Sequence, residues 1–138
     1  YAAAVLVYPF IDPRLRGASF DAEGAYGLSR AEADWFWRTY AGGDARHSEL
    51  LTNPDFCPLD ARDLGTLPPT QVLVAEHDIL HDEAVLLAER IAAAGAEVAT
   101  VTYPGMIHGF WRHPAMFHAA ETSYADTAAF LSGLYPQV

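Results

Sequence analysis

The sequence predicts an α/β fold, a parallel β-sheet flanked by helices with a short helical insertion after the first strand. Apolar runs of strand length occur at residues 2–8, 70–75 and 98–103. The first run is apolar on both alternating faces, which is typical of a parallel strand covered on both sides. Helical patterns follow the second and third runs, and the crossovers that join parallel strands are right-handed.

After the first strand, which Pro9 ends, a helix is predicted to begin behind Ser29 and to run to Tyr40. Ser29 and Glu32 fit a capping box, and the glycine pair at 42–43 ends the helix. The adjacent aromatic residues 35–37 point in three directions on a helix. We expect core packing with one ring at the edge, or else a lid over an apolar pocket.

The segments on either side of this helix are predicted to be irregular. Residues 12–28 are rich in Gly, Pro, Asp and Arg, and residues 44–69 end in a Leu-Pro-Pro segment. Clusters of these residue types favour loops. We therefore expect an insertion, with lid-like character, over about residues 12–66.

The rest of the chain alternates strands and helices. Asp82 and Glu83 open a helix, where acidic side chains favour the positive end of the helix dipole, and Gly95 ends it. The strand at 98–103 is expected to end at the Pro-Gly pair 104–105. A last helix is predicted at roughly residues 119–134 from apolar residues at helical spacing.

Composition and charge exclude several classes of function. The chain carries 8 basic and 18 acidic residues, a net charge of −10. This charge repels phosphate backbones and anionic lipids, so we expect no nucleic-acid partner and no peripheral membrane partner. The longest apolar run, residues 1–11, is too short to span a bilayer and lacks the features of a signal peptide.

Cys57 is the only cysteine, so no intrachain disulfide can form. This slightly favours a reducing, cytoplasmic compartment. Since no histidine flanks Cys57, we expect a buried, inert thiol rather than a nucleophile.

Two polar residues stand where ligands bind in open α/β sheets, beyond the carboxyl ends of the strands. Asp78 follows the second strand and His108 follows the third. Neighbouring strands lie about 4.8 Å apart, so these side chains can touch. A carboxylate bonded to one imidazole nitrogen prepares the other to accept a proton. Spacing by itself is explained equally well by a loop acid and a surface histidine.

A metal site is the rival interpretation. His77 and His81 are four residues apart and Asp82 and Glu83 follow, which is similar to a helical zinc pair. His77, however, stands at a strand end, and the helix is predicted to begin near Asp82. The two rings need not share a face, and no third ligand follows at a recognisable offset, so we predict no metal site.

Four segments of the chain occur together in one known family. They are VLVYP at 5–9, LSR through WFW at 28–37, LPP leading to VAEHD at 67–78, and YPG with HGF at 103–110. In this combination the chain resembles the hormone-sensitive-lipase-like esterases and lipases of the α/β-hydrolase superfamily. The similarity covers nearly the whole length, and only the combination is specific.

The resemblance implies that the chain is the carboxyl-terminal half of one α/β-hydrolase domain over residues 1–138. It implies that Asp78 is the acid and His108 the base of a Ser-Asp-His triad that hydrolyses small-molecule carboxylic esters without metal or organic cofactor. Ile79 and His81 depart from the family, where many members have proline and arginine. Neither departure changes a residue that would transfer the proton.

The family's Gly-x-Ser-x-Gly elbow is absent from the sequence, and so is its His-Gly-Gly-type oxyanion segment. The serines present are better interpreted as loop, cap or surface residues: Ser19, Ser29, Ser48, Ser123 and Ser132. We expect the nucleophile to precede Tyr1, in an N-terminal half missing from the sequence. The alternatives are a non-catalytic, ligand-binding relative and an inactive fragment. We also expect self-association through the exposed edge of the first strand.

Overall fold

A parallel sheet forms the centre of the structure, a computed structural model that describes residues 1–24 and 26–134. Within these residues the sheet contains β1 (Ala4–Val7), β2 (Thr70–His77) and β3 (Val98–Ile107), in the order β1-β2-β3. Both pairings are parallel. The first six residues of β2 are buried because strands flank it on both sides. The predicted α/β class is confirmed.

Helices and short 3₁₀ turns connect the strands. The helices are α1 (Ser19–Ala22), α2 (Arg30–Ala41), α3 (His81–Ala93) and α4 (His118–Leu134). The 3₁₀ turns are Glu49–Thr52, Pro58–Asp60, Leu64–Thr66 and Phe110–Arg112. In the described part of the chain, no helix is both long enough and apolar enough to cross a bilayer.

The start of α2 matches the predicted capping box. The Ser29 hydroxyl accepts a hydrogen bond from the Glu32 amide at 3.2 Å, and the Glu32 carboxylate accepts one from the Ser29 amide at 2.9 Å. Gly42 ends the helix with a φ of 69°, a left-handed conformation that glycine adopts without strain. Sequence-local hydrogen bonds therefore define both ends of this helix.

Side chains of β2 alternate between two layers of the core. Val72 and Val74 pack against Ala84 and Ala88 of α3. Leu73 and Ala75 face the opposite way, where a second cluster includes Tyr103, Phe110 and Ala120. Because successive side chains of a strand point to opposite faces, this alternation places α3 and α4 on opposite sides of the sheet. The predicted helices on both faces are confirmed.

Strand β3 is longer than predicted. The Pro-Gly pair at 104–105 was expected to end it, and that expectation is wrong: β3 continues to Ile107. The register shifts between Ala75 and His77 of β2, so that Tyr103 and Ile107 are their partners in β3. Gly105, with a φ of 72°, allows this irregularity, because few other residues adopt that conformation.

The segment between β1 and β2 packs over the carboxyl end of the sheet. Leu15, Phe20, Trp37 and Phe56 form one cluster with Leu80, which lies just beyond β2. Residues 12–28 were predicted as loop, but they contain the short helix α1, which tertiary contacts hold. This segment forms one wall of the candidate site.

Candidate active site

The carboxyl ends of β2 and β3 bring Asp78 and His108 together. His77 and Ile107 are register partners, so the next residue of each strand leaves the sheet beside the other. The Asp78 Oδ2 and His108 Nδ1 atoms are 2.8 Å apart, within hydrogen-bond distance. The two residues singled out in the sequence therefore form a carboxylate–imidazole pair.

The Asp78 carboxylate is buried and held by two partners. Only 1% of its side chain is exposed. Its Oδ1 atom accepts a hydrogen bond from the Leu80 amide at 2.9 Å, while Oδ2 faces the imidazole. Because each oxygen has its own partner, the plane of the carboxylate is determined. A buried carboxylate in this position orients an imidazole and stabilises its protonated form.

The His108 ring is less buried than its partner, with 20% of the side chain exposed. Gly109 follows it with a φ of 86°, so the chain turns sharply directly after the histidine. With Nδ1 directed at Asp78, the described residues form no hydrogen bond to Nε2. The Nε2 atom is the one that can exchange a proton with a reacting group.

Two further contacts of His108 were not predicted from the sequence. The Tyr8 ring packs on the imidazole, with 4.5 Å between the ring centroids. A Cβ atom at Gly27 would lie 2.7 Å from the His108 carbonyl oxygen, so the Gly27 backbone approaches His108 closely. Tyr8 carried one signal in the sequence, its position at the carboxyl end of a buried strand. Gly27 carried none, since its partner is distant in the chain.

An apolar cavity of about 530 Å³ adjoins the pair. His108 and Leu80 line it, and α2 contributes aromatic side chains. The full lining is Phe10, Leu28, Phe36, Trp37, Tyr40, Asp55, Phe56, Pro58, Leu80 and His108. A cavity of this size with few polar groups is typical of a small-molecule site.

The three adjacent aromatic residues of α2 have different environments. Trp37 is buried in the core cluster, whereas Trp35 and Phe36 are 61% and 50% exposed. Phe36 and Trp37 both line the cavity. Two rings are thus exposed, where core packing was expected to leave one at the edge. Phe36 and Trp37 place part of α2 at the wall of an apolar pocket.

His77 and His81 bond to different carboxylates. His77 Nδ1 is 3.1 Å from Glu23, whereas His81 Nδ1 is 3.0 Å from Asp82. His77 belongs to β2 and His81 begins α3. No group of three or more potential metal ligands occurs in residues 1–24 and 26–134. The geometry therefore gives the zinc-pair interpretation no support.

Three serine side chains in the structure serve local roles. The Ser29 and Ser48 hydroxyls cap helical segments, and the buried Ser123 donates to the Ala120 carbonyl within α4. Ser19 donates to the Ile79 carbonyl. No hydrogen bond joins a serine to the His108 ring in the part of the chain described. Cys57 is fully buried, and burial raises the pKa of its thiol, as expected for an inert cysteine.

Fold and site together define a parallel α/β domain with a buried carboxylate–imidazole pair and an apolar cavity at the carboxyl edge of its sheet. The chain belongs to the α/β hydrolase fold family, whose family model matches residues 1–112. This assignment confirms the resemblance to the hormone-sensitive-lipase-like esterases.

Related sequences include two bacterial hydrolases. The chain is 31% identical over 118 residues to an ethyl acetate hydrolase of Pseudomonas putida, covering 85% of this chain and 36% of that protein. It is 34% identical over 119 residues to an acetyl-hydrolase of Streptomyces hygroscopicus, covering 83% of this chain and 38% of that protein. The chain thus spans little more than a third of these relatives.

Solved structures of esterases superpose on nearly the whole chain. One of two fungal esterases from Rhizomucor miehei matches with a TM-score of 0.88 and 28% identity, over 99% of this chain and 43% of that one. A thermophilic carboxylesterase cloned from a metagenomic library matches with a TM-score of 0.85 and 31% identity, over 98% and 46% of the two chains.

Proposed function

We propose that this chain supplies the acid and the base of a Ser-Asp-His triad in a carboxylic ester hydrolase. The observation that carries the proposal is the 2.8 Å contact between Asp78 Oδ2 and His108 Nδ1 at the edge of an apolar cavity. Asp78 is the orienting acid. His108 is the general base and then the general acid.

The contact supports a different role for each nitrogen of His108. Asp78 accepts the Nδ1 proton, so Nε2 of the neutral ring carries a lone pair. Nε2 removes the proton from a serine hydroxyl as its oxygen bonds to the ester carbonyl carbon. The imidazolium then gives this proton to the departing alkoxide as the ester C–O bond breaks. Water releases the acid from the acyl-enzyme by the same two steps.

The nucleophile is proposed to lie outside residues 1–138. None of the five serines is in a Gly-x-Ser-x-Gly elbow, and the order serine, acid, histidine places the nucleophile before Asp78. The amides that stabilise the oxyanion are likewise proposed to lie outside this chain. By itself, the 138-residue chain is then inert toward esters, because a general base needs a hydroxyl to deprotonate.

Small esters of short acids are the proposed substrates. The names of the related ethyl acetate hydrolase and acetyl-hydrolase support this class. The cavity of about 530 Å³ supports it as well, since the aromatic side chains of α2 and Phe56 offer an apolar wall to an acyl or alcohol group.

The test is hydrolysis of p-nitrophenyl acetate by the natural polypeptide that contains residues 1–138. His108→Ala is expected to lower kcat by about 10³-fold or more, and Asp78→Asn by a similar factor, because the base is lost or left in the wrong tautomer. His113→Ala is the matched control, since His113 is an exposed histidine at the end of the next 3₁₀ turn. A His108→Ala variant that retains activity within tenfold contradicts the proposal.

A serine-reactive fluorophosphonate separates catalysis from binding. The natural polypeptide is expected to gain one adduct, and the 138-residue chain none. Ester turnover by the 138-residue chain, abolished by His108→Ala, would overturn the assignment of the nucleophile to a position outside it. A protein that binds the ester analogue but shows neither adduct nor turnover would be a non-catalytic relative.

A further inference from the structure

Ser19 reaches the loop that carries Asp78 from a distant part of the chain. Ser19 is the first residue of α1, and only 6% of it is exposed. The Ser19 hydroxyl donates a hydrogen bond to the Ile79 carbonyl at 2.6 Å. The same hydroxyl accepts a bond from the Asp82 amide at 3.3 Å. Ser19 thus contacts both sides of the turn between β2 and α3.

The carbonyl that Ser19 binds belongs to the same peptide group as the Leu80 N–H. That N–H donates to Asp78 Oδ1 at 2.9 Å, and Asp78 Oδ2 faces His108 Nδ1 at 2.8 Å. A peptide group is planar and rigid, so holding its oxygen also aims its N–H. A continuous chain of hydrogen bonds therefore runs from Ser19 through one peptide plane to Asp78 and on to His108.

We propose that Ser19 is a positioning residue for the Asp78–His108 pair, acting through the peptide group between Ile79 and Leu80. This inference rests on the proposed function, in which the pair is the acid and base of the triad. Ser19 touches no reacting atom. Its role is to keep the Leu80 N–H directed at Asp78, so that the carboxylate stays in the orientation in which it binds the His108 imidazole.

The surroundings of Ser19 are built for this contact. The Ser19 amide donates to the Asp82 carboxylate at 3.0 Å, so the first residue of α1 and the first turn of α3 satisfy each other's free amides. The side chain of Leu80, the residue before α3, makes no capping hydrogen bond. The Ser19 hydroxyl instead accepts a hydrogen bond from the Asp82 amide. At Gly17 a Cβ atom would lie 2.8 Å from the Asp82 Cβ, so only glycine allows this approach.

A donor at the carbonyl also strengthens the N–H on the other side of the peptide, since hydrogen bonds in a chain polarise one another. Removing the Ser19 hydroxyl therefore acts twice. The 79–80 peptide gains freedom to rotate, and its bond to Asp78 weakens. Both effects reach His108, although Ser19 is not in contact with it.

The experiment compares Ser19→Ala with Ser123→Ala in the natural polypeptide that contains residues 1–138. Ser123 is the matched control: it is a fully buried serine whose hydroxyl also donates to a backbone carbonyl, at 2.7 Å, but in α4. Ser19→Ala is expected to lower kcat for p-nitrophenyl acetate about threefold to tenfold with an unchanged KM, the effect of one lost hydrogen bond. Ser123→Ala is expected to leave kcat within twofold.

The second readout is the NMR signal of the proton on His108 Nδ1. Ser19→Ala is expected to shift or broaden this signal, and Ser123→Ala to leave it in place, even if both variants lose similar thermal stability. If Ser19→Ala does not fold, Ser19→Cys decides the question, because a thiol keeps the side chain and is a weaker donor. That variant is expected to show a smaller change in the same direction.

A folded Ser19→Ala or Ser19→Cys variant with the original kcat and the original Nδ1 signal overturns the inference. Failure of the proposed function looks different. In that case the unsubstituted protein shows no ester turnover that depends on His108, while the Nδ1 signal still reports whether Ser19 positions the pair.

Discussion

The Tyr8 ring packs against the His108 imidazole with 4.5 Å between the centroids and 57° between the ring planes. Tyr8 reaches this position with a φ of 35°, in the left-handed region that residues other than glycine rarely occupy. Such a conformation costs roughly 1–3 kcal/mol, which the surrounding structure must offset. A strained residue thus contacts the proposed base, which Asp78 restrains at Nδ1.

Replacement of Tyr8 is expected to affect activity through the ring and not through the hydroxyl. Tyr8→Ala removes the surface on which the imidazole packs, and we expect kcat/KM to fall about tenfold, equivalent to roughly 1.4 kcal/mol. Tyr8→Phe keeps the ring, and its kcat/KM is expected to stay within about twofold of the unsubstituted value. Loss of a hydrogen bond would lower kcat/KM by more than this factor. Steady-state ester hydrolysis measures both variants. If Tyr8→Phe loses as much activity as Tyr8→Ala, the hydroxyl and not the ring contact accounts for the loss.

Gly27 is expected to be intolerant of a side chain because of its contact with His108. Gly27 has a φ of 74°, and a Cβ atom would lie 2.7 Å from the His108 carbonyl oxygen and 3.1 Å from its Cβ. Gly27→Ala should displace the histidine loop and lower kcat/KM about tenfold or more, since small misplacements of catalytic groups are costly. Ester hydrolysis is again the measurement.

Gly42 provides the control for this substitution. It has a similar φ of 69°, but no atom lies within 4 Å of its expected Cβ. Gly42→Ala therefore introduces comparable backbone strain, of order 1 kcal/mol, without touching the site. We expect both variants to lose thermal stability and only Gly27→Ala to lose activity. Full activity in folded Gly27→Ala would contradict the close contact.

Glu83 is expected to make stability depend on pH. Only 3% of Glu83 is exposed, and burial raises the pKa of its carboxyl from 4.5 to about 8. The Ile11 amide donates a hydrogen bond to this carboxyl at 2.8 Å, which by itself lowers the pKa. The folded protein keeps this proton up to about pH 8, whereas the unfolded chain releases it near pH 4.5. Between these values the folded state binds more protons, so its stability falls as pH rises.

Glu83→Gln should remove this dependence, since an amide stays neutral and can still accept from the Ile11 amide. Between pH 6 and pH 9 the free energy of unfolding of Glu83→Gln is expected to fall by about 3 kcal/mol less than that of the unsubstituted protein. Urea unfolding at the two pH values measures the difference. Glu89→Gln is the control, because Glu89 is exposed on the same helix. Identical pH dependence in Glu83→Gln and the unsubstituted protein would rule out a buried neutral carboxyl.

The free edge of β1 is expected to drive self-association of the 138-residue chain. In residues 1–24 and 26–134, β1 pairs with β2 along one side only, and all four of its residues are half-buried. An edge strand with unpaired N–H and C=O groups recruits other strands. Sedimentation is expected to show dimers or larger species whose proportion rises with concentration.

A charge on this edge should oppose the association. Ala4→Lys places a lysine on β1 and is expected to shift sedimentation toward monomer, while Ala31→Lys adds the same charge to the exposed surface of α2. If Ala31→Lys has an equal effect, net charge and not the strand edge controls association. A clean monomer of the unsubstituted chain at high concentration would also contradict the prediction.

Local signals in the sequence predicted the elements that local interactions define. Ser29 and Glu32 predicted the start of α2 because a capping box forms within one turn. The apolar run at 70–75 predicted the buried part of β2, since a strand between two others must be apolar on both faces. The end of β3 was predicted too early, because pairing with β2 outweighs the local tendency of Pro104 and Gly105 to end a strand.

The sequence by itself determined the α/β class, the placement of Asp78 and His108 after adjacent strands, and, through its motifs, the family. These properties depend on residue type and order along the chain. Tertiary structure alone decided that Asp78 and His108 are in hydrogen-bond contact, that Tyr8 and Gly27 contact His108, and that Ser19 binds the turn after Asp78. It also decided that Glu83, which the sequence placed only at the start of a helix, is buried. Such contacts join residues far apart in sequence, and no local pattern encodes the packing that brings them together.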